Sequence, residues 1–284
     1  VNMSGGKICE QVATNGGGIY ATYSTVNMSG GTISGNYADT GGGIHTYSKD
    51  KDTNSETNAD PETAIKMTGG TISGNYANTG GGISANKSKV ILKGGIITNN
   101  KSVMGAGIWL VNSSEMTMEQ GVNSQICQIT RNTIQPTTLQ NLDSQGGGIF
   151  MWDSKAEISA GIISENKAKE GCDYHGHISG GDGGAISAVG SEITINGSAT
   201  LSNNSADNYG GAIYVVGWGP DQFIGVLSIN GGIIRDNTAG RSGAGIFAEC
   251  RYEKNYMDVK ISGGEIIENY NGTEGNMQEN AIML

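Results

Sequence analysis

The sequence has few basic residues, few prolines and few aromatic side chains. Its 17 Lys and Arg residues stand against 27 Asp and Glu residues, which gives a formal net charge of −10. Binding to nucleic acid or to an anionic membrane surface requires clustered Lys and Arg, so neither is an expected partner. No apolar run approaches the ~20 residues of a membrane-spanning helix, so we expect no membrane insertion by this segment.

Neither the four cysteines nor the glycine-rich composition determines the class of protein. Cys9, Cys127, Cys172 and Cys250 lack the spacing of a metal-ligand set and fall at different points of the repeat described below, so the sequence assigns no disulfide among them. Three prolines, 6% aromatic residues and 48 glycines would suit a flexible linker. A repeat that runs from end to end argues against that interpretation.

The repeat is marked by a column of asparagines, each standing three residues after an aliphatic residue. The asparagines are Asn36, Asn75, Asn100, Asn132, Asn166, Asn204, Asn237 and Asn269. The aliphatic partners are Ile33, Ile72, Ile97, Ile129, Ile163, Leu201, Ile234 and Ile266. A glycine cluster ending in Ile follows each unit, and two units without insertions, Ile19 to Ile44 and Ile83 to Ile108, are 25 residues long. A period of about 20–50 residues is the signature of a solenoid.

The length of the repeat predicts its secondary structure. A 25-residue unit leaves no room for a helix and its connections, and its apolar residues alternate at period two, which predicts strands. Three strands per repeat, each paired with its copy in the next repeat, make an all-β, right-handed parallel β-helix. We predict one domain over residues 1–284, with about nine coils stacked ~4.8 Å apart in a rod of roughly 40 Å.

Asparagine and glycine have physical roles at the corners of such a coil. The Asn column is predicted to turn the chain in the left-handed conformation, while its amides bond to the asparagines above and below. Gly-Gly pairs such as Gly30 and Gly31 are predicted to supply another bend, because a positive φ costs glycine little.

The first six residues, VNMSGG, are repeated at Val26 to Gly31. The sequence therefore begins within a coil, and an open solenoid end exposes unpaired strand edges. We expect the chain to be a piece of a longer protein, with flanking domains of the same chain as its neighbours.

Two motifs resemble those of a known family. Residues Gly183 to Ile186 and Gly210 to Ile213 spell GGAI, and the Asn column gives an (I/L)xxN motif similar to FxxN, with Ile where the family has Phe. This pair of motifs resembles the repeats of the chlamydial polymorphic membrane proteins and of the wider group of bacterial surface β-helix passengers, which have a pectin-lyase-like fold. The resemblance implies an extracellular adhesive or scaffolding rod.

Insertions lengthen some repeats and mark candidate sites. Thr133 to Gln145 and Lys167 to Asp182 are long in consecutive repeats, so we predict that they lie side by side and form a groove. In a carbohydrate-active enzyme, two carboxyl groups or an Asp with a His would supply the chemistry there. The candidates are Asp143, Asp153, Asp173, His175, His177 and Asp182. The alternative is a solvated polar loop.

Aromatic residues recur directly after the motif Ile, where side chains are predicted to point away from the coil. With two nearby tryptophans, the candidates for ligand binding are Tyr20, Trp109, Phe150, Trp152, Tyr214 and Trp218. As exposed rings they predict a stacking surface for sugars or a protein-binding stripe. Alternatively, inserted loops or a neighbouring domain cover the stripe.

One insert alternates acidic and amide side chains. Asp50, Asp52, Asn54 and Glu56 offer oxygen ligands at the spacing of a calcium loop, although Ser55 stands where such a loop has Gly. An acidic, solvated insert is the alternative. Apart from this candidate calcium site, we predict neither a cofactor nor a metal.

The sequence leaves two functions open. The first is a non-catalytic adhesin or rigid display stalk of the bacterial cell surface, which binds a glycan or a host-surface protein. The second is a β-helix carbohydrate-active enzyme, a glycoside hydrolase or polysaccharide lyase, because the same architecture carries both.

Overall fold

The computed structural model of the protein describes residues 1–48, 63–135, 144–172, 178–217, 224–250, 257–272, 278–279 and 282–283. Within these residues nearly all regular structure is β-strand, and a 3-10 turn lies at Val122–Ser124. No helix in the described part of the chain is long and apolar enough to cross a membrane.

Three parallel sheets run along the molecule, and we name them A, B and C in the order in which the chain reaches them. Sheet A contains Asn2–Cys9, Thr25–Ser34, Ala64–Ser73, Lys89–Thr98, Glu115–Met118, Cys127–Thr130, Lys155–Ile158, Ile162–Ser164, Glu192–Ile195, Thr200–Ser202, Gly225–Arg235 and Met257–Ile267. Sheet B contains Val12–Asn15, Tyr37–Thr40, Tyr76–Thr79, Lys101–Ser102, Thr133–Ile134, Lys167–Ala168, Ser205–Ala206, Thr238–Ala239, Tyr270–Asn271 and, antiparallel to the last, Gln278–Glu279. Sheet C contains Ile19–Thr22, Ile44–Tyr47, Ile83–Asn86, Ile108–Val111, Ile149–Trp152, Ile186–Val189, Ile213–Gly217, Ile246–Cys250 and Ile282–Met283.

The chain passes through sheets A, B and C once per turn, which makes a parallel β-helix of nine described coils. We number the coils 1 to 9 in the order of the sheet C strands. Equivalent residues pair in register, so Ile19 pairs with Ile44 and Ile44 with Ile83. The predicted fold, with three strands per coil, is confirmed.

The aliphatic columns of the sequence form the interior of the coils. Ile33, Ile72 and Ile97 are paired in successive coils, and each has 0% exposure. One hydrophobic cluster extends from Met3 to Ala248. Burying each such side chain contributes roughly 1.5–3 kcal/mol, so every coil stabilises its two neighbours through one shared core.

The asparagine column forms a buried hydrogen-bonded ladder beside this core, as predicted. The backbone N–H and the Nδ2–H of Asn75 both donate to Oδ1 of Asn100 in the next coil, at 3.0 Å each. Nδ2 of Asn75 also donates to the carbonyl oxygen of Ile33 in the preceding coil, at 3.0 Å. The same pattern recurs along the ladder, so these amides are buried without the ~1–3 kcal/mol penalty of an unsatisfied group.

The left-handed residue at this corner is not the ladder asparagine but the residue before it. Gly35 and Gly74 have φ of 64° and 63°, and Asn99 and Arg131 have φ of 55° and 57°. The ladder residue must aim its own N–H along the rod at the next Oδ1, so the turn is made one position earlier. The prediction was therefore wrong by one residue.

Glycine is required at two kinds of bend. Gly70, in the Gly-Gly bend of sheet A, has φ of 86°, and a Cβ there would lie 2.6 Å from Cε of Met28. The predicted positive φ of these pairs is thus confirmed. At the entry to sheet C, a Cβ on Gly43 would lie 2.5 Å from the carbonyl oxygen of Gly82, so the close approach of stacked coils excludes a side chain.

The thiols of Cys9, Cys127 and Cys250 are free. Burial raises the pKa of the Cys127 thiol to about 12, so this residue behaves as an inert core side chain.

Candidate functional site

The outer face of sheet C carries most of the side chains that the sequence marks for binding. Two outward columns run along it, at the second and fourth positions of the strands. The first column contains Tyr20, His45, Ser84, Trp109, Phe150, Ser187, Tyr214, Phe247 and Met283. The second contains Thr22, Tyr47, Asn86, Val111, Trp152, Val189, Val216 and Glu249.

The expected exposure of the aromatic column is wrong for two of its members. Phe150 is 4% exposed and Tyr214 is 0% exposed. Both point away from the interior, as predicted, but they pack into a second hydrophobic cluster with Val111, Val189 and Val216. Partly buried residues surround this cluster; they are Met104, Trp109, Tyr209 and Phe247. Coils 4 to 8 therefore have a second core on the outside of sheet C.

Other members of the predicted set remain accessible. Tyr20 is 51% exposed and Trp152 is 37% exposed. Trp109 is half-buried, and its Nε1 is buried without a hydrogen-bond partner. Trp109 packs against the second cluster, and Trp152 lies beside it, paired with the cluster residues Val111 and Val189. Trp218 lies outside the described residues.

Coils 1 to 3 have a more polar arrangement at the same face. The rings of Tyr20 and His45 stack with centroids 5.3 Å apart and planes 4° from parallel. Nδ1 of His45 lies 2.8 Å from Oγ of Ser84 in the next coil. Burial lowers the pKa of His45 to about 4, so the imidazole is uncharged at neutral pH.

A partly buried hydrogen bond joins coils 7 and 8 at the other end of the face. The hydroxyl of Tyr214 donates to Oε1 of Glu249 in the next coil at 2.5 Å. The ring of Phe247 stacks on that of Tyr214 with centroids 5.8 Å apart, and Tyr209 packs against Phe247 at 4.5 Å. The aromatic residues of coils 7 and 8 therefore act as packing residues.

The two long inserts lie side by side where they are described. The backbone N–H of Gly181 donates to the carbonyl of Ser144, and Gln145 forms a parallel bridge with Asp182. Glu170–Cys172 and Ile178–Gly180 form an antiparallel hairpin within the second insert. Asp182 is 5% exposed, and its Oδ1 accepts the backbone N–H of Tyr209 at 3.2 Å.

The structure does not bring the two described candidate acids together. Asp182 precedes the sheet C strand of coil 6, whereas Asp153 follows the sheet C strand of coil 5. The intervening strand alone spans roughly 10 Å at about 3.3 Å per residue, and Asp153 accepts a hydrogen bond from the Ser113 hydroxyl at 3.2 Å. The other candidates, Asp143, Asp173, His175 and His177, lie outside the described residues, as do Asp50, Asp52, Asn54 and Glu56. Among the described residues, no group of three or more His, Cys, Asp or Glu side chains could hold a metal ion.

A cavity with a volume of about 600 Å³ lies between coils 8 and 9. Its lining is Phe247, Ala248, Glu249, Cys250, Met257, Val259 and Met283. Met257 and Val259 also pack against the main core, so the cavity opens onto the interior columns.

Comparison with known proteins bears on coil 7. Residues 198–216 match the Chlamydia polymorphic membrane protein repeat. The matched segment contains the strands Thr200–Ser202 and Ser205–Ala206, the ladder residue Asn204 and the GGAI motif that ends at Ile213. No curated protein and no solved structure matches the chain.

The polymorphic membrane protein repeat thus confirms the resemblance predicted from the two motifs. In coil 7, Leu201 and Ile213 fill the core at 0% exposure, and Asn204 belongs to the ladder. The motif residues are therefore structural, and the repeat match describes how the coil is built. It points to a bacterial outer-membrane or surface protein with a β-helix passenger.

Proposed function

We propose that this chain is a non-catalytic adhesive rod, displayed outside a bacterial cell, that binds a glycan or a host-surface protein. The observation that carries the proposal is the exposed indole of Trp152, 37% accessible, beside the second hydrophobic cluster of sheet C. The match to a repeat of surface proteins supports the location.

The surroundings of Trp152 suit a binding residue. Tryptophan is enriched among residues that dominate interface energies, and such residues work best on rigid, well-packed supports. Trp152 follows Met151, which is 0% exposed in the core, and it pairs with Val111 and Val189, which are 4% and 6% exposed. The ring is therefore presented by two stacked apolar layers and loses little conformational freedom on binding.

The coil architecture supports a role in display. Neighbouring coils pair along three parallel sheets, two hydrogen bonds join each ladder asparagine from Asn36 to Asn237 to the next one, and the described coils share one core. A rod of this kind holds a binding face at a fixed distance from its point of attachment. The described acids Asp153 and Asp182 are too far apart along the strand to act as a glycosidase pair, so no observation favours the enzyme as a second proposal.

Adhesion of coated beads to cultured epithelial cells tests the proposal. Beads carrying the intact chain are expected to adhere, and Trp152→Ala is expected to reduce adhesion at least about tenfold. Ile96→Ala is the matched control, because Ile96 is a 36% exposed apolar residue of sheet A. Cells treated with glycosidases or with protease separate a glycan partner from a protein partner. Equal adhesion of the intact chain and Trp152→Ala would contradict the proposal.

A further inference from the structure

The outer face of sheet B carries an aromatic pair that the binding face of sheet C does not include. Tyr37 and Tyr76 pair in register, and their rings stack with centroids 5.2 Å apart and planes 8° from parallel. Tyr37 is 46% exposed, and Tyr76 is half-buried. The sequence does contain a signal, because NYA follows the same pattern at 36–38 and at 75–77.

One face of the Tyr37 ring is covered by Tyr76, and the other is turned toward coil 1. The neighbour in coil 1 is Val12, which pairs with Tyr37 and is 79% exposed. A valine side chain is too small to cover a phenol ring, and this accounts for the exposure of Tyr37. The pair therefore presents one accessible aromatic surface at the end of a stack.

Polar side chains lie on the same face, two residues further along each strand. Asp39 is exposed and Asn78 is half-buried, and Nδ2 of Asn78 donates to Oδ1 of Asp39 over a long 3.4 Å. Among the described residues no other side chain donates to the Asp39 carboxylate, so it retains acceptor capacity for a ligand. The site thus combines a ring with a carboxylate and an amide.

We propose that Tyr37, Tyr76, Asp39 and Asn78 form a binding site for a neutral glycan. A pyranose ring has an apolar face of C–H groups that packs against an aromatic ring, and a rim of hydroxyl groups that donate to carboxylate and amide oxygens. Sites for small polar ligands share this design, in which apolar surface supplies contact and a few polar groups fix orientation. The spacing of coils, about 4.8 Å, lets one sugar ring reach residues of two adjacent coils.

Charge selects a neutral ligand over an anionic one. The site contains the Asp39 carboxylate, and Lys101 pairs with Tyr76 on the side of the next coil. The chain as a whole carries a formal net charge of −10, which repels sulfated or sialylated sugars. This site is independent of the proposed binding role of sheet C.

Coil 9 provides a matched control for the tyrosine pair. Tyr270 occupies the same position after its ladder asparagine and is 36% exposed. It pairs with Thr238 rather than with a second tyrosine. The residue two positions after Tyr270 is Gly272, whereas the residue two positions after Tyr37 is Asp39. Tyr270 therefore lacks the tyrosine stack and the acidic residue two positions further along its strand, while Glu279 pairs with it from the antiparallel strand.

The experiment is saturation-transfer NMR of the intact chain with cellotriose, maltotriose, chitotriose and mannotriose. At least one of these neutral sugars is expected to bind. Tyr37→Ala is expected to weaken binding about tenfold or more, while Tyr37→Phe retains it and Tyr270→Ala leaves it unchanged. Asp39→Ala, at an exposed position, tests the carboxylate in a variant whose folding is not at risk.

Three results would overturn the inference. They are the absence of binding by all four sugars, undiminished binding by both Tyr37→Ala and Asp39→Ala, and binding that is lost only in Trp152→Ala. The last would place sugar binding on sheet C, so it separates this site from the adhesive face.

Discussion

The ladder corner and the outer face of sheet C belong to the same coils, yet they follow opposite rules. At the corner, asparagine recurs from Asn36 to Asn269 without exception. On the face, the equivalent positions hold Tyr, His, Ser, Trp, Phe, Ser, Tyr and Phe in coils 1 to 8. A ladder amide must bond to a coil on each side, so its identity is fixed, whereas an outward side chain has only to pack beside its neighbours. Residues that are the same in every coil therefore build the rod, and residues that vary from coil to coil form its outer face.

Two adjacent isoleucines of coil 6 provide the largest expected difference between a core position and an outward position. Ile163 is 0% exposed in the core, whereas Ile162 is half-buried and points outward. Ile163→Asp buries an unpaired charge among stacked aliphatic residues and is expected to cost roughly 5 kcal/mol or more, unfolding several coils. Ile162→Asp is expected to cost less than about 1.5 kcal/mol. Urea denaturation followed by circular dichroism measures both, and similar losses would break the assignment of faces.

A second comparison sets the buried amide ladder against an exposed one. Asn132→Ala removes the Oδ1 acceptor of two donors from Asn100 and the donor to the carbonyl of Ile97, all at 3.0 Å. Because these partners are buried, we expect a loss of about 3–5 kcal/mol in the free energy of unfolding. Asn230 makes a similar amide contact with Asn196 at 3.0 Å, but in solvent, so Asn230→Ala should cost less than about 1 kcal/mol. Comparable urea midpoints for the two variants would show that burial does not govern the ladder.

The free energy of unfolding is expected to depend on pH through His45, on the outer face of sheet C. Burial lowers the pKa of His45 to about 4, against about 6.5 in an unfolded chain. Below pH ~6.5 the unfolded chain takes up a proton that the folded chain binds only near pH 4, so the free energy of unfolding falls across this window by roughly 3 kcal/mol. In His45→Gln this component is expected to vanish. Parallel stability curves of the two proteins from pH 7 to pH 4 would contradict the burial of His45.

The fold could be read from the sequence because the interior imposes the same demand on every coil. Ile33, Ile72 and Ile97 stack upon one another, so their spacing in the sequence reports the spacing of the coils. The left-handed corner was placed one residue late, because asparagine suits both a left-handed turn and an amide ladder. Here the ladder decides the position, and Gly35 or Arg131 makes the turn.

The candidate site could be predicted only in part. The period-two pattern placed Phe150 and Tyr214 on the outer face correctly, but exposure depends on contacts between coils that the local sequence does not specify. Their burial follows from Val111, Val189 and Val216 in the second outward column. The Tyr37 and Tyr76 pair could have been found, because both tyrosines follow ladder asparagines in the same five-residue pattern.

The asparagine ladder also has a direction. Between ladder residues, each amide from Asn36 to Asn237 donates to Oδ1 of the following asparagine, and each Oδ1 from Asn75 to Asn269 accepts from the preceding one. The same donor and the same acceptor therefore meet at every step of the ladder. If one whole coil were deleted or duplicated, the asparagines that then became neighbours would still pair a donor with an acceptor. The rod can therefore lengthen or shorten by whole coils while the remaining faces keep their orientation. Its length can change without a change in the residues that bind a partner.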